Sequence, residues 1–193
     1  MNINYSRLLD LILNEIIPLT YKNVAKGNKI FGGGIISKVD LSTICIGLNN
    51  EIKNPLLHGE ISTINNFFEK NKKIDPKECI FVSTHEPCSL CLSAITWSGF
   101  NNFYYFFPYE DTKDKFNIPH DLNILSHVFN IENGKYNNSN SYWQAFSILN
   151  EINQLPINEK ELLNFKIDKI YTKYQNLSIK YQKFKKENNI PLN

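Results

Sequence analysis

The sequence predicts an α/β fold, a three-layer α/β/α sandwich with a mixed sheet of the five-stranded type. Three observations carry this prediction: the apolar segments follow in the order helix, strand, strand, helix, strand, helix, strand; a short turn joins the first two strands; and a helix separates the later ones. A short turn makes an antiparallel hairpin, whereas a strand–helix–strand unit makes parallel neighbours through a right-handed crossover. Both pairings in one sheet, covered by helices, give a mixed three-layer architecture.

The first elements are a helix, a hairpin and a second helix. Apolar residues at helical spacing in residues 5–17 predict a buried helix, which we expect Pro18 to end or kink because proline lacks the N–H of a helical hydrogen bond. The segment 30–38 (IFGGGIISK) predicts a strand, and the segment 43–48 (TICIGL) predicts its antiparallel partner. Residues 56–71 (LLHGEISTINNFFEKN) carry apolar side chains on one side and predict the next helix.

The second half adds two strands and several helices. The short apolar segments 79–84 (CIFVST) and 102–108 (NFYYFFP) predict buried strands. Between them, residues 89–98 predict a helix that stops at Gly99. Near the C-terminus, apolar residues recur in alternating steps of four and three, at Leu163, Ile167, Ile170, Tyr174, Leu177, Tyr181 and Phe184. This heptad pattern predicts a long amphipathic helix with a lysine-rich face, and it leaves open a dimer seam or a nucleic-acid contact.

Composition bounds the partners and the compartment. The chain of 193 residues is 42% hydrophobic, enough for one sizeable core. It has neither an apolar run long enough for a membrane span nor an N-terminal signal segment, and its four cysteines lack the spacing of a disulfide framework. We therefore expect a cytoplasmic protein with reduced thiols and no membrane partner. The net charge is +2 and Arg7 is the only arginine, which weakens a nucleic-acid interpretation.

Two short motifs carry candidate chemistry. Cys88 and Cys91 are three apart and share a face at the start of a predicted helix, and His58 lies at the start of another. One imidazole and two thiolates suit zinc with an open fourth position. Glu60 follows His58 by two residues, about 200° further around a helix, so it can face what lies beside the metal. A redox pair of cysteines would leave His58 and Glu60 unexplained, and a zinc ribbon needs a second C-x-x-C, which is absent.

These motifs resemble a known superfamily. H-x-E followed by P-C-x-x-C is the signature of zinc deaminases, and residues 5–130 resemble the cytidine deaminase-like superfamily. FGGGIIS is similar to the P-F-G-A-V-I-V strand of guanine deaminases and bacterial tRNA adenosine deaminases, and EPCSLCLSAITWSG is similar to their E-P-C-x-M-C-x-x-A-I-x-W-A-G. HGEIST is identical to the same stretch of fungal cytosine deaminase.

The resemblance implies a hydrolase acting on C–N bonds of cyclic amidines, with Zn²⁺ as its cofactor. His58, Cys88 and Cys91 would bind the metal, and zinc-bound hydroxide would attack the amine-bearing carbon while Glu60 moves protons. The resembled enzymes grip the base edge with an asparagine about eleven residues before the histidine. Here Asn49, nine residues before His58, is the candidate. We expect residues 1–130 to form the deaminase core and residues 131–193 a C-terminal helical extension, packed on the core or swapped with it.

The sequence segments that indicate a substrate point to two different bases. HGEIST favours cytosine, whereas the acidic loop after segment 102–108 is similar to the D-x-A-x-x-x-G-F-D loop of guanine deaminases, in which a C-terminal aromatic residue closes over the base. Tyr142 and Trp143 are the candidates for that role. We therefore predict a free nucleobase or nucleoside as substrate, with guanine slightly ahead of cytosine, and a homodimer, as the resemblance implies. A tRNA wobble adenosine deaminase, possible but not favoured, is the alternative, and an inactive zinc-stabilised binding protein is the second alternative.

Overall fold

A computed structural model describes residues 3–70 and 73–192 of the chain. In the described part, five strands form one sheet in the order β2-β1-β3-β4-β5. Their bounds are Gly32–Ser37 (β1), Thr43–Leu48 (β2), Cys79–His85 (β3), Asn102–Phe107 (β4) and Gln144–Ser147 (β5). β1 is antiparallel to both β2 and β3, while β3, β4 and β5 run parallel. The predicted mixed sheet, with its hairpin first and its crossovers later, is confirmed.

Helices cover both faces of the sheet. Their bounds are Tyr5–Asp10 (α1), Ile17–Val24 (α2), Gly59–Lys70 (α3), Ser89–Trp97 (α4), Tyr109–Asp114 (α5), His120–Phe129 (α6), Ile148–Asn153 (α7) and Ile157–Phe184 (α8). α3 and α4 pack over one hydrophobic cluster, and α1, α2 and α8 share the cluster on the other face. The three-layer sandwich is therefore confirmed. Within the described residues, no helix has the length and apolarity needed to cross a membrane.

Pro18 does not end the first helical segment, although an end there was one of the two outcomes predicted for it. A π-helical turn, Leu11–Ile16, joins α1 directly to α2, and the N–H of Ile17 bonds to the carbonyl of Ile12. This wider turn shifts the hydrogen-bond register, so Pro18 falls in the first turn of α2. At that position a missing N–H costs little. The sequence gives no periodic signal for such a turn, because all of its apolar side chains are buried anyway.

The segment 131–193 is not wholly helical, because it contributes β5 to the sheet. Its long helix, α8, folds over its own chain. Five of the seven heptad residues of α8 are buried: Leu163, Ile170, Tyr174, Leu177 and Tyr181. Lys166 Nζ bonds to Asp10 Oδ2 of α1 at 2.6 Å, and the Tyr21 hydroxyl of α2 donates to the Lys173 carbonyl at 3.2 Å. The apolar seam is thus used within the chain.

A close approach of α3 to β1 sets the position of the motif His58-Gly59-Glu60. A Cβ atom added to Gly59 would lie 2.7 Å from Gly32 Cα of β1. Real Cβ atoms do not come so close to backbone, so this contact requires glycine at position 59. His58 and Glu60, on either side of Gly59, are thereby held against the sheet where β3 leads into α4.

Packing of α8 against the core gives a stability prediction. Ile170→Ala should lower the free energy of unfolding by about 2–5 kcal/mol, because Ile170 is fully buried and its truncation leaves a cavity. Ile179→Ala on the same helix is the matched control, since Ile179 is 58% exposed, and it should change stability by less than about 0.5 kcal/mol. Denaturant unfolding measures both. Equal effects of the two substitutions would contradict this packing.

Candidate metal centre

Two helix starts bring the predicted metal ligands together. His58 immediately precedes α3, and Cys88 is the N-cap residue of α4, with extended backbone (φ −64°, ψ 171°). Cys91 lies one turn further into α4 and is fully buried. The partial positive charge of two helix N-termini favours thiolates at such a place.

The three side chains fit a tetrahedral zinc ion. His58 Nδ1 lies 3.4 Å from Cys88 Sγ and 3.7 Å from Cys91 Sγ, and the three ligand atoms all lie within 4.8 Å of one another. Zinc bonds of about 2.0–2.1 Å to nitrogen and about 2.3 Å to sulfur at tetrahedral angles place nitrogen and sulfur about 3.6 Å apart. The observed distances bracket that value, and both cysteines are free thiols.

The ionisable groups of the cluster shift one another's pKa values. The polar contact with the Cys91 side chain, together with His58, holds the pKa of Cys88 well below its ordinary value. Burial, followed by the charge of Cys88, raises the pKa of Cys91. Burial alone would lower the pKa of His58, but the hydrogen bond to Cys88 and nearby negative charge raise it to about 9. Zinc binding must therefore displace protons from this cluster.

Glu60 is buried directly beside the cluster. The Ser83 hydroxyl of β3 lies 2.6 Å from both Glu60 Oε1 and the His85 carbonyl, and the Cys91 thiol donates to Oε2 at 3.2 Å. Burial raises the pKa of Glu60, and the charge of Cys88 adds to the effect. A carboxyl group so placed can hold a proton at one oxygen next to the metal position while the other oxygen is fixed by Ser83.

A cavity of about 280 Å³ opens onto this cluster. Phe31, Leu56 and Ile118 supply part of its apolar wall, and four carboxyl groups line it, from Glu51, Glu60, Glu86 and Asp121. Lys29 is the cationic side chain of the lining, and its ammonium is paired with Glu51 at 3.1 Å. The cavity is therefore rich in hydrogen-bond acceptors.

Glu86 and Asp121 are cavity residues that the sequence interpretation missed. Glu86 accepts hydrogen bonds from the Tyr109 backbone N–H at 3.1 Å and from the Tyr136 hydroxyl at 2.9 Å. Burial raises the pKa of Glu86 to about 7. Burial, followed by the charge of Cys88, raises the pKa of Asp121 to about 8. Their signals in the sequence were the position of Glu86 next to Pro87 and the acidic segment that ends at Asp121.

His85 also lines the cavity, and its tautomer follows from its neighbours. The Thr84 hydroxyl donates to the Gly32 carbonyl at 3.0 Å, accepts from the Gly32 N–H at 3.1 Å, and lies 3.0 Å from His85 Nδ1. A hydroxyl has one proton, so His85 Nδ1 is the donor and Nε2 is an acceptor. Nε2 has no hydrogen-bond partner among the described residues. Burial lowers the pKa of His85, which keeps the ring neutral.

The three predicted substrate residues do not lie among the residues that line this cavity. The Asn49 side chain is buried, accepts from the Gly59 backbone N–H at 2.6 Å and donates to Glu51 at 2.8 Å. Tyr142 is 69% exposed. The Trp143 indole donates to the Thr96 hydroxyl at 2.7 Å and packs against a phenylalanine of β4, so it belongs to the α4 side of the core.

Comparison with known families settles the class of protein. The sequence model described as the cytidine and deoxycytidylate deaminase zinc-binding region matches residues 12–107. The chain belongs to the cytidine deaminase-like superfamily. The matched region contains the elements that carry His58, Glu60, Cys88 and Cys91. The match indicates a hydrolase acting on C–N bonds with zinc as its cofactor, and the cluster described above fits that metal.

Solved structures of deaminases share the fold. Guanine deaminase from Nitrosomonas europaea matches with a TM-score of 0.54 and 14% identity, covering 90% of this chain and 85% of that chain. A mutant of the protein NE0047 in complex with 8-azaguanine matches with a TM-score of 0.59 and 14% identity, covering 89% and 84%. NE0047 in complex with 2,6-diaminopurine matches with a TM-score of 0.55 and 15% identity, covering 91% and 82%. A comparison with curated protein sequences gives no match.

The deaminase cluster gives a metal-binding prediction. Purified protein should contain about one zinc per chain, and Cys91→Ser should lose it because a hydroxyl replaces a thiolate ligand. Cys79→Ser is the matched control, since Cys79 is equally buried but lies outside the cluster, and it should retain the metal. Elemental analysis after gel filtration measures both. Retention of zinc by Cys91→Ser would contradict the assignment.

Proposed function

We propose that this deaminase hydrolyses the C–N bond of the exocyclic amino group in a free nucleobase or nucleoside, with guanine slightly favoured and cytosine next. The observation that carries the proposal is the Glu60 carboxyl group, buried beside the three ligands and lining the cavity. A purely structural zinc site is closed by four protein ligands and has no use for such a carboxyl group. Three ligands, an adjacent acid and a cavity support a catalytic site.

The roles of the chain's own residues follow from their positions. When bound at His58, Cys88 and Cys91, zinc acts as a Lewis acid that activates water for attack on the amine-bearing carbon. Glu60 would accept one proton from the attacking water and deliver it to the ring nitrogen, then accept the remaining hydroxyl proton and pass it to the amine, so that the C–N bond breaks and ammonia leaves. Ser83 holds Glu60 Oε1 at 2.6 Å, which fixes the orientation of the carboxyl group during both transfers. Backbone N–H groups at the start of α4 stabilise negative charge that develops on the substrate.

Charge in the cavity supports a base or nucleoside rather than a nucleotide. Of the lining residues that the structure describes, Lys29 carries the positive charge, and its ammonium is already paired with Glu51. A phosphate group in the cavity would therefore find no unpaired lysine or arginine among these residues. The cavity volume of about 280 Å³ is at the lower end of the roughly 300–1,000 Å³ typical of ligand pockets, which suits a small heterocycle.

Acceptor groups in the cavity support guanine over cytosine. Guanine presents a ring N–H beside its amine-bearing carbon, and a carboxylate can accept a hydrogen bond from that N–H while the amino group faces the metal position. Glu86 and Asp121 supply carboxyl groups to the cavity wall. The guanine deaminase of Nitrosomonas europaea and the azaguanine complex of NE0047, which share the fold, also support this choice.

One surface supports tRNA as the second candidate substrate. α8 carries six lysines in its length: Lys160, Lys166, Lys169, Lys173, Lys180 and Lys183. A row of this kind can hold a phosphate backbone. Lys166 is already bonded to Asp10, and Arg7 is bonded to Glu15 and to the Leu41 carbonyl. The two ion pairs with Asp10 and Glu15 reduce the positive charge available to RNA. A free nucleobase or nucleoside therefore stays the leading proposal.

Oligomerisation is also part of the proposal. Trp97 at the end of α4 is 91% exposed, and Phe129 at the end of the neighbouring α6 is 54% exposed. Large apolar side chains exposed on adjacent helices favour a contact with another protein surface. We propose a homodimer, in keeping with the family resemblance.

The role of Glu60 is tested by a charge-neutral substitution. Glu60→Gln should retain zinc and lower kcat by at least about 100-fold, because a positioned acid–base group contributes about 10²–10⁴ in rate. Glu69→Gln is the matched control, since Glu69 lies on the same helix at an exposed position, and it should leave kcat unchanged. Ammonia release and zinc content are measured on each. Full activity of Glu60→Gln would remove Glu60 from the mechanism.

The substrate is tested by a screen for ammonia release. Guanine, cytosine, adenine, their nucleosides and a tRNA anticodon stem are the substrates, and we expect guanine to have the highest kcat/KM. Asp121→Asn should lower kcat/KM for guanine, because an NH2 group replaces one of the two carboxyl oxygens that can accept from the base, and the effect should be largest above about pH 8, where Asp121 is ionised. Turnover confined to the RNA would overturn the free-base proposal, and zinc binding without any turnover would favour the inactive binding protein.

A further inference from the structure

A buried carboxylate faces the far side of the metal ligand His58. Glu51 lies in the loop between β2 and α3, and its side chain is 1% exposed. Its Oε1 atom is 3.8 Å from His58 Nε2 and 3.1 Å from Lys29 Nζ. Its Oε2 atom accepts a hydrogen bond from Asn49 Nδ2 at 2.8 Å.

The two nitrogens of His58 face opposite partners. Nδ1 is turned toward the thiols of Cys88 and Cys91, so Nε2 is the nitrogen left to carry the proton when Nδ1 binds a metal. A carboxylate on that side favours the tautomer with the proton on Nε2 and raises the basicity of the ligating nitrogen, and here it acts through its charge at an ion-pair distance of 3.8 Å. Glu51 is the carboxylate within ion-pair distance of Nε2 in the described structure.

Glu51 is itself held from two directions. Lys29 is 6% exposed, and its ammonium donates both to Glu51 and to the Leu192 carbonyl, the latter at 3.0 Å. Asn49 bonds to Glu51 and to the N–H of Gly59, the first residue of α3. A buried lysine–glutamate pair contributes little net stability, because desolvation offsets its attraction. The arrangement is therefore better explained by what Glu51 faces than by stability alone.

We propose that Glu51 is a positioning residue of the metal centre, which fixes the imidazole of His58, and that Lys29 and Asn49 hold Glu51 in place. The inference rests on the assignment of His58 as a zinc ligand in the proposed function. It also gives Asn49 a role at the metal centre in place of base binding.

The experiment compares zinc affinity in two matched variants. Glu51→Gln keeps the shape of the side chain and removes its charge. Glu15→Gln is the control, because Glu15 is likewise bonded to one cation, Arg7 at 2.9 Å, and to one neutral donor, the Thr43 hydroxyl at 2.7 Å, but lies outside the cavity. Zinc dissociation constants are measured by competition with a chromophoric chelator. The zinc-loaded proteins are also labelled with ¹⁵N-histidine to observe the His58 Nε2 proton by NMR.

Positioning predicts a change in both measurements. Glu51→Gln should raise the zinc dissociation constant about 10–100-fold, and it should move the Nε2 proton resonance of His58 upfield, because an amide is a weaker acceptor than a carboxylate. Glu15→Gln should change neither. A dissociation constant for Glu51→Gln within twofold of the wild type, or an unmoved proton resonance, would overturn the inference.

Folding and activity are kept separate from this test. If Glu51→Gln does not fold because it leaves the Lys29 ammonium unpaired, the double variant Lys29→Met/Glu51→Gln removes that charge and is judged by the same two measurements. Neither measurement needs turnover. Glu51-dependent zinc binding in a protein that releases no ammonia would overturn the proposed function alone, and Glu51-independent zinc binding in an active deaminase would overturn this inference alone.

Discussion

The start of α3 lies so close to β1 that no side chain fits between them, and the site depends on this contact. The contact between Gly59 and Gly32 sets the helix directly against the sheet, which fixes where His58 and Glu60 emerge. The same strand is bonded to β3, whose Thr84 hydroxyl both donates to and accepts from the backbone of Gly32. β3 then leads through Pro87 into α4 and its two cysteines. One tight backbone contact therefore fixes the position of His58 relative to the two cysteines of the metal centre.

Burial at this point of the fold concentrates groups that oppose one another's ionisation. Glu60 and Cys91 are both buried, and the pKa of each is raised by burial and by the charge of Cys88. Without a metal, protons must neutralise part of this cluster, so the folded chain carries a local electrostatic cost. A divalent cation neutralises two thiolates at once, which links zinc binding to the stability of the folded state. The site is thus built for occupation by the metal.

Periodic segments were predictable, and local irregularities were not. β1 to β4, α3 and α4 were predictable from apolar runs and helical spacing. The apolar residues that each of these elements buries form a regular pattern within its own segment. The π turn before Pro18 was not predictable, since its apolar residues satisfy any helical period. β5 was missed because it has only four residues, Gln144–Ser147, and none of them is fully buried. Its place in the sheet comes from pairing with β4 rather than from its own pattern.

The residues of the site likewise fall into those that the sequence predicts and those that it does not. The convergence of His58, Glu60, Cys88 and Cys91 in one cluster was predictable from the spacing of their two motifs. Lys29 and Glu51 were not, because their contact joins positions 22 residues apart in the sequence. The loop from Asn49 to His58 is two residues shorter than in the resembled enzymes, and in this structure the Asn49 amide bonds to Gly59 and Glu51 instead of lining the cavity. A base bound here would then be read from the opposite wall, where Glu86 follows β3 and Asp121 opens α6. Recognition by carboxyl groups in place of an amide would favour a base that presents N–H donors on the edge facing that wall, because an ionised carboxylate can only accept hydrogen bonds.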